Sequence, residues 1–414
     1  MIHRIWRVMF LSVVVLGGSY GLLPGEEAKA PKDPKVVMLG LIRRADAMEK
    51  ARKFDQAISE YLKIVKLSSK IYGADSHQTA SFTNNLAALY ANLGSYDKAE
   101  KLYLQSIKTD EKAIGKNAPD LADTMCNLAA MYMSAGKPDK AFPLYERSLK
   151  IYRGKLGEKS RKAAAVLDHI GSLYYQTEKY LEAEKAFNQS CEILAEKPGK
   201  EHPTFAIVQI HLAAVLVATD RSEKAETLYL ESIKVLEAKL DKNHWELGRA
   251  LSNLAGMYRR SREFEKAVPL YLRVIEICQA RLGKDHLMVA DEVSNLASIY
   301  YEMGQHAKAA PLYLQSIKII EAKLGKKHAM VATMMNNLAL VYWEMKKYKE
   351  AETLYLRCLK MDEAALGKDH PEVGVTLDNL SKLYMAMGKY DLARTYRDRS
   401  RKIKQAAREK SESK

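Results

Sequence analysis

The chain has 414 residues, 28% of them charged, with a formal net charge of +15 and four cysteines. Four scattered cysteines exclude a disulfide-stapled scaffold, and no Cys-x-x-Cys or Cys–His spacing marks a metal centre. An ordinary globular chain of this length would form two or three domains.

The first predicted element is a leader over residues 1–30. His3, Arg4 and Arg7 give a basic start, Val8 to Leu16 an apolar run, and Gly17-Gly18-Ser19-Tyr20-Gly21 a small-residue close. Cleavage has two candidate places, after Ala28-Lys29-Ala30 or at Ser19-x-Gly21. Uncut, Ile5 to Leu23 is nearly long enough to anchor the chain in a bilayer. The expectation is an exported protein, periplasmic or secreted, or one anchored in a membrane through its N-terminus.

From residue 35 to 414 one pattern returns every 42 residues. Ala57, Ala99, Ala141, Ala183, Ala225, Ala267, Ala309, Ala351 and Ala393 keep that interval without exception. A methyl-sized residue held so strictly predicts a close helix crossing. One turn on stand Tyr61, Tyr103, Tyr145, Phe187, Tyr229, Tyr271, Tyr313 and Tyr355, the bulk that fills the groove beside it. Upstream, Leu86, Ala87 and Tyr90 form an apolar stripe of helical spacing on a preceding helix. Gly94, Gly136, Gly304 and Gly388 divide the two helices of a unit, and Gly73, Gly115, Gly157, Gly199, Gly283, Gly325 and Gly367 close the second. Pro119, Pro203 and Pro371 fall at the first turn of the next helix. A repeat of this length predicts stacked helix pairs, each too small to bury a core alone. Both ends decay: Arg43-Arg44-Ala45 replaces the usual motif in the first unit, and the basic tail from Arg399 is expected to fray.

Lys108, Lys150, Lys234, Lys318, Lys360 and Lys402 share one second-helix position, where Glu192 and Glu276 stand in other units. The row is either a solvated outer face or a ladder for acidic polymers. Aromatic residues do not interleave with it, so nucleic acid is not expected. Cys126, Cys191, Cys278 and Cys358 come from different units and are expected to stay unbridged. His202, His244, His286, His328 and His370 recur in the joining loops, which marks a structural role. Neither a nucleophile–base pair nor a metal cluster is apparent, so neither catalysis nor a cofactor is expected.

The run Asn-Leu-Ala-x-x-Tyr-x-x-x-Gly-x-Tyr-x-x-Ala-x-x-x-Tyr resembles the tetratricopeptide repeat. Joints such as Leu282-Gly283-Lys284-Asp285-His286 and Leu366-Gly367-Lys368-Asp369-His370-Pro371 resemble the repeats of kinesin light chains, without the coiled coil that precedes them there. The resemblance implies an all-α fold, a right-handed superhelical solenoid of about nine such helix pairs. It also implies a concave groove lined by first helices, whose asparagines hold the backbone of an extended peptide. The matching positions are Asn84, Asn85, Asn127, Asn253, Asn295, Asn336, Asn337 and Asn379; His169 and His211 stand in two of the units.

An amide carries donors and an acceptor together, which suits either a peptide backbone or a neighbouring helix end. Arg249, Arg259 and Arg260 on one first helix are candidates for an acidic segment, or simply solvated. Tyr175, Tyr301 and Trp343 share a position outside the core pattern, as ligand anchors or as inter-unit packing. The sequence therefore points to a scaffold that binds a protein or peptide, an acidic one if the arginines take part, with a membrane met only through the N-terminal segment. The alternative is a structural surface protein holding acidic polymers on its basic helix faces.

Overall fold

A computed structural model of the chain describes residues 33–412 with the exception of Arg52, so the leader expected over 1–30 lies outside the described residues. The contacts of the described residues divide into two compact bodies, one running to Ala225 and the other from Glu226, with the boundary inside helix α10 (Ser222–Lys239). The first body holds α1 (Pro34–Lys50), α2 (Phe54–Tyr72), α3 (His77–Asn92), α4 (Tyr96–Ala113), α5 (Pro119–Ser134), α6 (Pro138–Leu156), α7 (Arg161–Gln176), α8 (Tyr180–Leu194) and α9 (Pro203–Ala218). The second holds α11 (Trp245–Arg260), α12 (Phe264–Leu282), α13 (Leu287–Glu302), α14 (His306–Leu324), α15 (Ala329–Glu344), α16 (Tyr348–Leu366), α17 (Pro371–Ala386) and α18 (Tyr390–Glu412). Odd-numbered helices are the first of each pair and even-numbered ones the second. None of the described helices is long and apolar enough to cross a membrane.

The ends of these helices follow from single residues. The recurring histidines are N-caps: the Nδ1 atoms of His202, His244, His286 and His328 each accept the backbone N–H two residues on at 3.2 Å, and His370 does so at 3.3 Å. Ser76 and Ser160 fill the same place in earlier units. That satisfies one orphan donor of each helix. Pro119, Pro203 and Pro371 stand at the first helical position, as their spacing predicts. The turn inside each unit needs a left-handed residue, and eight positions supply it with φ between 58° and 73°. Four are Gly94, Gly136, Gly304 and Gly388; the others are Glu178, Asp220, Arg262 and Lys346, which adopt the same conformation with a side chain.

The alanine slot is closed in every unit: all nine residues are 0–1% exposed. The aromatic rings one turn on are likewise buried, from Tyr103 at 0% to Tyr61 and Tyr271 at 4%. A third buried row is formed by serines. Ser106, Ser148, Ser190, Ser316 and Ser400 each donate from Oγ to the carbonyl 26 residues upstream, tying a second helix to the first helix of its own pair at 2.8–3.2 Å. Cys358 takes the serine's place and reaches the Ala332 carbonyl with Sγ at 3.2 Å.

Neighbouring pairs are joined by the residue after the slot alanine. Glu100 accepts from Tyr132 Oη at 2.7 Å and pairs with Lys140 at 3.0 Å. Glu352 and Tyr384 repeat the bond at 2.7 Å in the second body, and Arg221 grips Glu184 with both Nη atoms in the first. Where Phe142 replaces the glutamate, its ring meets Tyr174 at 5.5 Å instead.

The basic tail departs from expectation. α18 runs to Glu412 because Ile403 is 4% exposed in the core and Ser400 still bonds the Gly374 carbonyl.

Candidate functional site

The asparagines stand on the first helices, all half-buried. Three residues after each motif position, on the same helix face, comes a small side chain: Ala88, Ala130, Ser172 and Ala214 in the first body, Gly256 and Ser298 in the second. Leu340 and Lys382 end that row. Each odd-numbered helix from α3 to α13 thus carries a polar residue above a shallow floor, whereas the amides of α15 and α17 stand beside a larger side chain.

Several amides already bond within the array. Asn127 Nδ2 donates to Asn84 Oδ1 at 3.2 Å, and Asn379 Nδ2 to Asn336 Oδ1 at 3.0 Å, each across adjacent first helices. Asn84 Nδ2 lies 3.4 Å from Asn85 Oδ1, and Asn85 also meets the Tyr61 hydroxyl. Asn295 Nδ2 donates to Glu292 Oε2 at 3.3 Å. Asn253 and Asn337 have no such partner among the described residues. The amides therefore divide into those already bonded within the array and Asn253 and Asn337.

The histidines occupy amide positions on α7 and α9. His211 Nδ1 lies 2.6 Å from Asp168 Oδ1, the same inter-helix bond that Asn127 makes to Asn84. His169 stacks on Tyr145 at 5.4 Å, and burial holds its imidazole pKa below the usual range against the pull of Asp168. His211 rests on Phe187 at 5.6 Å. The core aromatic of one pair thus seats the face residue of the next.

The three arginines do not converge. Arg249 is half-buried and pairs with Glu246 on its own helix at 2.6 Å. Arg259 gives Nε and Nη2 to Glu302 of α13 at 3.0 and 2.6 Å, while Arg260 is exposed. An acidic ligand would meet one open guanidinium there. The shared aromatic position is occupied by packing: Tyr175 against Tyr180 at 5.8 Å, Tyr301 against His306 at 5.4 Å, and Trp343 against the core around Tyr355 and Leu380.

Beside this row lies a pair of carboxyls that the sequence reading passed over. Glu292 is 3% exposed, takes weak bonds from Ser252 and Asn295, and is pushed up to about 7 by burial. Burial likewise lifts Asp291 to about 6. Elsewhere the slot of Glu292 holds Phe82, Thr124, Val166, Val208, Ala250, Met334 and Thr376, so its one charge was visible by counting.

On the second-helix side all six ladder lysines are exposed. An open hollow of about 760 Å³ there is lined by Arg147, Lys150, Arg153 and Lys155 together with Glu146 and Glu158. Arg147 already pairs with Glu111 and Arg153 with Glu158. The four cysteines are free thiols, and burial raises each to about 12, far from reactive at neutral pH.

The sequence finds no match among curated proteins. Among solved structures, the signal-transduction ATPase with a tetratricopeptide repeat sensor from Pyrococcus horikoshii is similar over 92% of this chain and 55% of its own, at 14% identity and a TM-score of 0.63. The apo quorum sensor NprR from B. thuringiensis is similar over 90% of this chain and 99% of its own, at 13% identity and a TM-score of 0.56. The "kinesin light chain nearly identical TPR-like repeats" of Podosopora anserina match half of this chain and 98% of theirs, with 23% identity and a TM-score of 0.45. The first two likenesses, at so low an identity, speak to fold alone. The tetratricopeptide-repeat family model matches in eight overlapping windows, from 37–112 through 330–406, and with this coverage the chain belongs to the tetratricopeptide-repeat family.

Proposed function

We propose that the chain is a non-enzymatic scaffold, exported or membrane-anchored, that holds an extended segment of another protein against its first helices. The observation that carries this reading is the row of half-buried amides on the first helices, with Asn253, above Gly256, and Asn337, beside Leu340, still able to bond a backbone. Each offers two donors and an acceptor. A partly buried amide left unpaired is destabilising unless water or a ligand satisfies it.

The competing reading, acidic polymers held on the lysine faces, differs in its response to salt. Exposed charges act over about 8 Å at physiological ionic strength and much less at high salt. Peptide capture from a displayed library should survive roughly 0.5 M salt if amides and apolar contacts carry it. Loss of all capture at that salt would favour the charge ladder instead.

A further inference from the structure

Other side chains also link adjacent first helices, as Lys162 does to Asp123, but the links made by the amide row itself do not follow the 42-residue period; they recur every 84 residues. Asn127 bonds Asn84, His211 bonds Asp168, and Asn379 bonds Asn336, each to a partner 43 residues upstream. Asn295 belongs to the same series: Glu292 bridges it to Ser252, which stands 43 residues before it. The alternate positions are Asn85, His169, Asn253 and Asn337, also 84 residues apart. Forty-three residues before them stand Ile42, Cys126, Ile210 and Ser294. None of these offers an amide or carboxylate, and Ser294 turns its hydroxyl back to the Asp291 carbonyl of its own helix.

Chemistry thus sorts the row into two sets. One is spent on holding neighbouring pairs in register; the other finds no amide or carboxylate 43 residues upstream. In the first body this second set is engaged locally, Asn85 by Tyr61 and His169 by Tyr145. In the second body it is not.

We infer that an extended peptide is gripped at two-pair intervals, by Asn253 and Asn337, and passes over Asn295 without a backbone bond. This rests on the peptide-binding reading above. Packed helices lie about 8–10 Å apart, so two pairs span about 16–20 Å. At about 3.3 Å per extended residue, the two gripped peptide groups are five or six residues apart. The ligand is then a continuous extended segment of at least about seven residues.

The test uses the full chain and a decapeptide selected from a displayed library. Each backbone amide of that peptide is replaced in turn by an ester. Two sensitive positions five or six residues apart, each weakening binding about tenfold, are expected; three evenly spaced positions about three residues apart would overturn the two-pair register. Asn253→Ala with Asn337→Ala should weaken the same peptide about a hundredfold, and Asn295→Ala less than about threefold. Equal losses from Asn295→Ala would likewise overturn it, with binding itself intact. Failure of every decapeptide to bind above a scrambled control would instead bring down the peptide-binding reading, and this inference with it.

Discussion

The helices α7 to α9 of the first body and the helices α11 to α17 of the second are built on the same slots and fill them differently. In the second body the slot alanines are followed one turn on by Tyr271, Tyr313 and Tyr355, and the motif row of the first helices is asparagine throughout. In α7 to α9 three positions change together: Gly171 replaces the motif alanine, Phe187 replaces the tyrosine, and histidines replace the amides. The ring of Phe187 takes the space of the missing methyl, since a Cβ on Gly171 would lie 2.6–2.9 Å from its atoms. His211 then packs on that ring and keeps the inter-helix bond through Asp168. The lesson is that a face residue here is chosen jointly with the core ring beneath it. The slot alanine stays fixed, and the ring, its neighbour and the face residue vary as a coupled set.

The largest expected effect breaks the comparison at Glu292, where the second body buries a carboxyl in a slot that the first fills with Phe82, Thr124, Val166 and Val208. An unfolded glutamate ionises near 4.5, whereas Glu292 holds its proton to about 7. The folded state therefore binds the extra proton between those values, and stability falls as pH rises through that window, then levels off. A full shift of this size corresponds to about 3 kcal/mol. Glu292→Gln should be more stable than the parent by up to that amount at pH 8 and equal to it near pH 4. Asp291, raised to about 6, leaves a slope at lower pH, so the diagnostic interval is pH 6 to 7. Amide exchange of α11 to α15 measures it; an unchanged slope there in the variant would refute the assignment to Glu292.

Much of this architecture is legible without coordinates, because a strict interval reports burial directly. The alanine slot, the aromatic row and the capping histidines were all visible that way. The serine row at Ser106, Ser148, Ser190, Ser316 and Ser400 obeys the same interval, and only the habit of reading serine as surface hides it. Other features escape for physical reasons. The fork of Arg259 is taken by Glu302, a pairing 43 residues apart that no single-helix spacing shows. Sorting amides into engaged and open also needs the residue on the preceding helix, so Asn253 and Asn295 look alike in sequence. Expecting glycine at every left-handed turn likewise misses Glu178, Asp220, Arg262 and Lys346.

A smaller effect sharpens the comparison through one substitution made twice. Gly171→Ala must displace the Phe187 ring and should cost about 1–3 kcal/mol. Gly256→Ala in the second body meets only the Tyr271 hydroxyl at 3.9 Å, an ordinary contact. There the gain in helix propensity should dominate, stabilising by up to about 1 kcal/mol. Opposite signs in thermal melts are the expected outcome, and a loss of similar size at both sites would mean that Phe187 does not set the difference.

The smallest effect concerns a turn that both bodies share. Lys346 and Arg262 hold φ at 58° and 61° in the place where Gly304 holds 73°. A left-handed residue with a Cβ is disfavoured by roughly 1–2 kcal/mol, while glycine loses about 0.5–1 kcal/mol through the freedom of the unfolded chain. The balance favours glycine by a few tenths to about 1 kcal/mol. Lys346→Gly and Arg262→Gly should therefore raise the melting temperature slightly, and Gly304→Ala should lower it. Lys346 and Arg262 are both exposed, so little packing is lost by removing either side chain. A lower melting temperature for both glycine variants would show that these turns are relaxed with a side chain in place, and that the four non-glycine positions carry no strain.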